Sequence, residues 1–308
     1  MKVEWPDGKN FAFTVFDDTD LATLHNVRPI YDLLAKLGLR TTKSIWPLKG
    51  NEVTVNDGDT CEDPAYLAWL QELKQVGFEI GYHMAASSTS DRQRTLLGLD
   101  TFEELFGENP TTMANHASCH ENIYWGESRL TGWRRLVYNA VTRFHYKGRF
   151  RGHIEGDPLF WGDLCRERIK YVRGFVFPEI NTLKVCPYMP YHDPLRPYVN
   201  YWFASSEGPD VVSFNKLLSE SSLDRLEEEG GACIMYTHFG AGFYRDGQID
   251  SRFAELMTNI ASRNGWFVTV ATLLDFLHAK HGHRVISPRE RSTLERKWLG
   301  NKLFTGTS

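Results

Sequence analysis

Three acids, Asp17, Asp18 and Asp20, follow directly on an apolar run in the segment Phe11 to Asp20, FAFTVFDDTD. Phe11, Phe13, Val15 and Phe16 with Thr14 fit a strand covered on both faces, and carboxylates could not stay in such a core unpaired. They therefore belong at the carboxyl end of the strand, the edge where open α/β sheets and α/β barrels keep their chemistry. Asp17 and Asp18 are candidates for a base and a metal ligand. Taken alone, the pair also reads as a polar turn after a core strand.

Histidines stand at three further strand ends. His83 lies just past the apolar Ile80 in EIGYHMAASS, and Asn115 to His120, NHASCH, follows a short strand at Met113 and Ala114. One carboxylate and two imidazoles are a common catalytic set for zinc, leaving positions open for water and substrate. His238 follows the strand that ends in Tyr236 and Thr237. Each histidine alone could equally be a hydrogen-bonded structural residue.

The elements that must position these groups alternate. Asn26 to Leu37 has Ile30, Leu33, Leu34 and Leu37 at helical spacing and stops at Gly38; Thr41 to Pro47 reads as a strand; Ala65 to Val76 repeats the helix and ends at Gly77, before the strand of Phe78 to Gly81. A third cycle places a helix over Thr101 to Phe106. Near the carboxyl end, Gly231 to Thr237 (GACIMYT) and Gly265 to Val270 (GWFVTV) are strands, separated by a helix over Phe253 to Ala261 and followed by another through Leu273, Leu274 and Leu277. Such alternation predicts a parallel sheet or barrel. Between them, residues 124–202 are crowded with aromatics, arginines and glycines without sustained period, which predicts an insertion. Trp125, Trp133, Trp161 and Trp202 could line a sugar cleft there, although core packing is the plainer role for any one of them.

The 308 residues suit one large α/β domain, and the net charge of −4 gives no reason to expect nucleic acid as the main partner. Five scattered cysteines without a CxxC pair suit reduced thiols. The amino terminus lacks the blocks of a signal peptide, and no apolar run is long enough to span a bilayer, so a cytoplasmic protein is expected.

The ordered set of motifs resembles the polysaccharide deacetylase superfamily, the NodB-homology fold also called carbohydrate esterase family 4. Thr14 to Thr19 (TVFDDT) is similar to its first motif, TFDDG; Gly77 to Ser87 half matches its second, an HxxxH; Ile234 to His238 (IMYTH) is similar to its closing LxH strand. The resemblance implies a distorted (β/α)7-type barrel, one domain over 1–308 with the insertion at about 124–202 and a basic tail at about 281–308. It implies that Asp17 is the catalytic base, Asp18 and His83 are metal ligands, and His238 is the general acid. The cofactor implied is a divalent metal ion, zinc by preference. The second histidine of HxxxH is replaced by Ser87, a poor zinc ligand, and His116 is the expected substitute, with His120 in reserve. Glu207 and Asp210 stand about where an acidic residue tuning the general acid is expected.

The implied activity is metal-dependent removal of an N-acyl group, acetyl or formyl, from an amino sugar of a surface polysaccharide precursor, as in O-antigen assembly. A metal-independent amide hydrolase similar to the allantoinase branch and an inactive sugar-binding protein are the alternatives. The tail reads as a solvated helix, or as a basic surface for a pyrophosphate or for peripheral contact with an anionic membrane.

Overall fold

The computed structural model describes residues 3–305. β1 (Phe11–Asp17) is buried at every position, as its unbroken apolar run requires. α1 (Leu24–Lys36) starts at Thr23, whose side chain accepts from the Asn26 N–H while Asn26 returns the bond, a reciprocal cap that fixes the exit of the chain from the site. β2 (Thr42–Ile45), α2 (Pro64–Gln75), β3 (Glu79–Tyr82), α3 (Arg92–Phe106) and β4 (Thr112–Met113) continue the alternation. The helix expected over Thr101 to Phe106 is the last part of α3, which begins at the Asp91 cap and stops at Gly107, where φ is +76°.

After β4 come α4 (Trp133–Val141), α5 (Gly162–Arg168), β5 (Tyr171–Phe177), α6 (Thr182–Val185), β6 (Tyr201–Glu207), α7 (Val211–Leu217), α8 (Glu220–Glu229) and β7 (Ala232–Thr237). A small hairpin, β8 (Tyr244–Arg245) with β9 (Gln248–Ile249), then leads to α9 (Ser251–Ala261), β10 (Gly265–Phe267), α10 (Val270–His281) and α11 (Pro288–Thr305). Strands β1 to β7 are parallel neighbours in chain order, and β7 returns to pair with β1 along Ala12 to Asp17. This closes a seven-strand barrel, the α/β class expected. β10 takes the lower part of the other edge of β1, from Phe11 to Phe13, and β2 takes only Phe16 and Asp17 above it.

Two regions differ from expectation. The stretch 124–202 is not one insertion, because β5 lies inside it as a barrel strand buried at all its positions, and β6 begins at Tyr201. Arg173 and Gly174 interrupt the apolar run of YVRGFVF, and the register with β6 shifts between Arg173 and Phe175. The non-barrel chain therefore comes in two pieces, one before β5 and one between β5 and β6.

The tail helix is not solvated. Leu294, Trp298 and Leu299 are buried on one face of α11, each apolar side chain of this kind contributing roughly 1.5–3 kcal/mol. Arg291 and Glu295 share that face: Arg291 donates to Asp193 at 2.5–3.0 Å, and Glu295 accepts from Arg134 at 2.7 Å and from the Thr131 hydroxyl at 2.8 Å. The helix is thereby fixed across the insertion; the end of the predicted tail, 306–308, lies outside the described residues. Among the described residues no helix is long and apolar enough to cross a membrane.

Candidate active site

Four strand ends meet at the mouth of the barrel. β1 delivers Asp17, Asp18 and, one turn beyond its end, Asp20; β3 delivers His83, β4 His116 and β7 His238. The backbone turns sharply just after two of these donors: Leu21 has φ +59° and Met84 φ +68°, a left-handed conformation that costs a non-glycine residue about 1 kcal/mol or more. Asn115 pins the loop after β4, accepting from the Ile123 N–H at 2.9 Å and donating to its carbonyl at 3.1 Å. Asn122 donates to the His116 carbonyl at 2.6 Å, and Trp46 packs against both imidazoles.

Asp20 Oδ1, His83 Nε2 and His116 Nδ1 form a triangle with sides of 3.2, 3.0 and 3.2 Å. A tetrahedral zinc with bonds near 2.0 Å holds its ligand atoms about 3.3 Å apart. His83 Nε2 and His116 Nδ1 are within hydrogen-bond distance of each other, but Asp20 Oδ1, despite its two nitrogen neighbours, is buried without a hydrogen bond, so the three atoms converge on a shared point with the carboxylate oxygen unsatisfied. Burial lowers the pKa of His83, which keeps a neutral imidazole with a lone pair to give. Burial alone would raise Asp20, but His116, His238 and His83 hold its carboxyl well below the usual carboxylate range. The donor set fits a divalent ion with open positions.

The expected residues are divided differently by the structure. His83 and His116 come together, but the carboxylate beside them belongs to Asp20. Asp18 instead receives both terminal nitrogens of Arg173, at 2.8 and 2.5 Å, and its Oδ2 stays 4.0 Å from His83 Nε2. Asp17 faces away from the mouth. Its Oδ1 accepts the Phe239 N–H at 2.7 Å and its Oδ2 lies 3.0 Å from both the Tyr31 hydroxyl and Lys43 Nζ, all of them buried. Burial raises its pKa against the lowering influence of Lys43 and that N–H. Both departures have one physical cause: a cation from another strand, Lys43 on the adjacent β2 or Arg173 on β5 across the barrel, already engages the acid.

His238 Nε2 stands 3.2 Å from Asp20 Oδ2, and its Nδ1 is 2.7 Å from the Pro209 carbonyl. Burial opposes its ionisation, yet Asp20, Asp18 and that carbonyl carry its pKa up to about 9. Asp210 caps α7, accepting from the Ser213 N–H. Ser87 hydrogen-bonds to Asp57, and His120 is exposed, its N–H donating to Thr89.

A cavity of about 370 Å³ opens over the cluster. Asp18, Asp20, His83, His116 and His238 lie in its floor, while Trp125, Tyr138, Tyr146, Phe150 and Tyr236 supply aromatic wall. Of the four tryptophans considered for a sugar cleft, Trp125 alone reaches this cavity: Trp133 is exposed on α4, Trp161 is buried and donates to the Glu121 carbonyl, and Trp202 is buried elsewhere. Sequence reasoning missed Asp20 and Arg173. The spacing of Asp18 and Asp20 was a usable signal, since a second acid two residues on can return to the same side.

No protein-family model and no curated protein matches the sequence. Among solved structures, Puue allantoinase is 13% identical over 92% of this chain and 95% of its own, with a TM-score of 0.53. A probable polysaccharide deacetylase from Pseudomonas aeruginosa PAO1 is 12% identical, over 92% of this chain and 96% of its own, with a TM-score of 0.53. The likeness to these two proteins shows the fold: the chain is a distorted (β/α)7 barrel of the kind they share, in agreement with the resemblance read from the order of its motifs.

Proposed function

We propose that the chain is a metal-dependent hydrolase that removes an N-acyl group, acetyl or formyl, from an amino sugar of a surface polysaccharide precursor. The observation that carries this reading is the converging triangle of Asp20, His83 and His116, set at strand ends below a cavity that also holds a carboxylate and a histidine. The names of the two fold neighbours, a deacetylase and an allantoinase, support amide hydrolysis as the reaction class. The aromatic wall supports a sugar, since ring faces stack on aromatic side chains.

Asp20, His83 and His116 would hold the ion, with zinc favoured by two nitrogen donors and one oxygen donor. A bound divalent ion supplies Lewis acidity, bringing the pKa of water near 7 and polarising the acyl carbonyl. Asp18 is the base in this reading, in place of Asp17. A carboxylate has about four lone-pair sites and Arg173 takes two, so Asp18 is held in orientation with capacity left to accept a proton. His238, protonated beside Asp20, gives its Nε2 proton to the departing amine, while its Nδ1 stays anchored on Pro209. Asp17 with Lys43 keeps the strand end in place.

The test is release of acetate or formate from N-acylated amino sugars by purified protein of known metal content. Activity should follow zinc occupancy, and Asp18→Asn should keep the metal yet lose about 10²- to 10⁴-fold in turnover. Full turnover in metal-stripped protein would favour the metal-independent alternative, and unchanged turnover in Asp18→Asn would remove it as the base.

A further inference from the structure

The wall of the same cavity holds a charge that the hydrolytic reading does not use. Arg129, at the end of a short 3-10 helix Gly126–Arg129, is 4% exposed and lies between two indoles. Its guanidinium carbon is 3.9 Å from the ring centre of Trp125 and 4.1 Å from that of Trp298. Both faces of the guanidinium are therefore covered, and only its edge can meet a polar partner. Nε and Nη1 on that edge are buried without any hydrogen bond, and the Tyr138 hydroxyl is a polar neighbour of the group. Every other deeply buried arginine is tied to an acid: Arg173 to Asp18, Arg196 and Arg291 to Asp193. Among the described residues, Nε and Nη1 of Arg129 meet no carboxylate.

A buried cation without a counter-ion is costly in an apolar setting. Stacking on the two indoles offsets only part of that cost. Burial also drives the guanidinium pKa down to about 10, the direction expected where no anion is at hand. Arg149, whose Nε is likewise buried without a partner, lines the cavity close by, against Tyr146 and Phe150. The acids of the cavity floor do not answer these charges, since Asp18 is taken by Arg173 and Asp20 by three histidines. A planar fork held edge-on is suited to bidentate recognition of a carboxylate or a phosphate.

We propose that the substrate carries an oxyanion, a phosphate ester or a carboxylate, which Arg129 binds with Arg149 beside it while the amide lies over Asp20, His83 and His116. This rests on the reading of the site as an amide hydrolase and narrows its substrate to an anionic N-acyl sugar.

Calorimetric titration of the zinc-loaded protein at fixed ionic strength tests it without requiring turnover. The probes are N-acetylglucosamine 1-phosphate against N-acetylglucosamine, and glucuronate against glucose. At least one anion should bind about tenfold or more tighter than its neutral counterpart, and Arg129→Met should abolish that preference while leaving neutral-sugar affinity and zinc content unchanged. The phosphate and carboxylate pairs tell the two sources apart. Should Arg129→Met fail to fold, Arg149→Gln at the cavity wall is expected to lower the preference by about threefold or more. No preference in either pair, or a preference untouched by the variants, overturns the proposal. Anion binding through Arg129 in a protein that cleaves no N-acyl sugar would sink the hydrolase reading and leave the anion site standing.

Discussion

Asp17 and Asp20 sit three residues apart in one segment, both buried, and their surroundings differ in kind. Below the mouth, both oxygens of Asp17 receive donors, from Phe239 and Tyr31, with Lys43 as a fully enclosed counter-ion. At the mouth, one oxygen of Asp20 faces two imidazole nitrogens and hydrogen-bonds to neither. In the first arrangement both oxygens of the acid are satisfied and its counter-ion is in place. The second is complete only with something added. Buried charge is therefore not by itself a sign of chemistry in this barrel; the sign is buried polar atoms that converge without pairing.

The contrast can be broken in four ways. Asp20→Ala should have the largest effect, removing metal stoichiometry and all detectable turnover, as read by metal analysis and amine release; retained metal would place the ion elsewhere. Lys43→Met should cost about 3–5 kcal/mol of stability in urea, because it strands Asp17, while the folded fraction still binds zinc. Loss of metal with intact stability would invert the division. Glu295→Gln, which removes the acid holding α11 through Arg134, should cost about 1–3 kcal/mol and leave metal content unchanged.

The fourth effect is in pH. His238 titrates near 6.5 when unfolded and at about 9 in the fold, where Asp20 holds its proton. The folded state then carries the extra proton, so this contribution is whole below about pH 6.5 and is lost as pH rises through about 9. Metal-free protein should lose thermal stability over that interval, and His238→Asn should flatten the decline. Zinc on Asp20 should shift it to lower pH.

The barrel was legible because most of its strands are short apolar runs that end in polar clusters, and β1, β2, β3 and β7 were found that way. β5 was hidden by the residue that gives it a role. Arg173 reaches inward to Asp18, and Gly174 accompanies a register shift, so the apolar pattern breaks where the strand meets the site. The histidines were visible by position. Which acid joined them was not, because that depends on Lys43 and Arg173, cations on two other strands that no local pattern links to β1. α11 looked solvated for a related reason: Arg291 and Glu295 occupy its buried face, where their partners Asp193, Arg134 and Arg196 come from remote sequence.

Two of the nine tryptophans, Trp125 and Trp298, enclose the Arg129 cation, one from the insertion and one from the final helix. Indole emission responds to a nearby charge, and this pair brackets a charge that an incoming anion would neutralise. The molecule thus carries an optical gauge at its cavity wall, readable in a cuvette without label or assay, and Trp125→Phe and Trp298→Phe would assign the signal to one indole or the other.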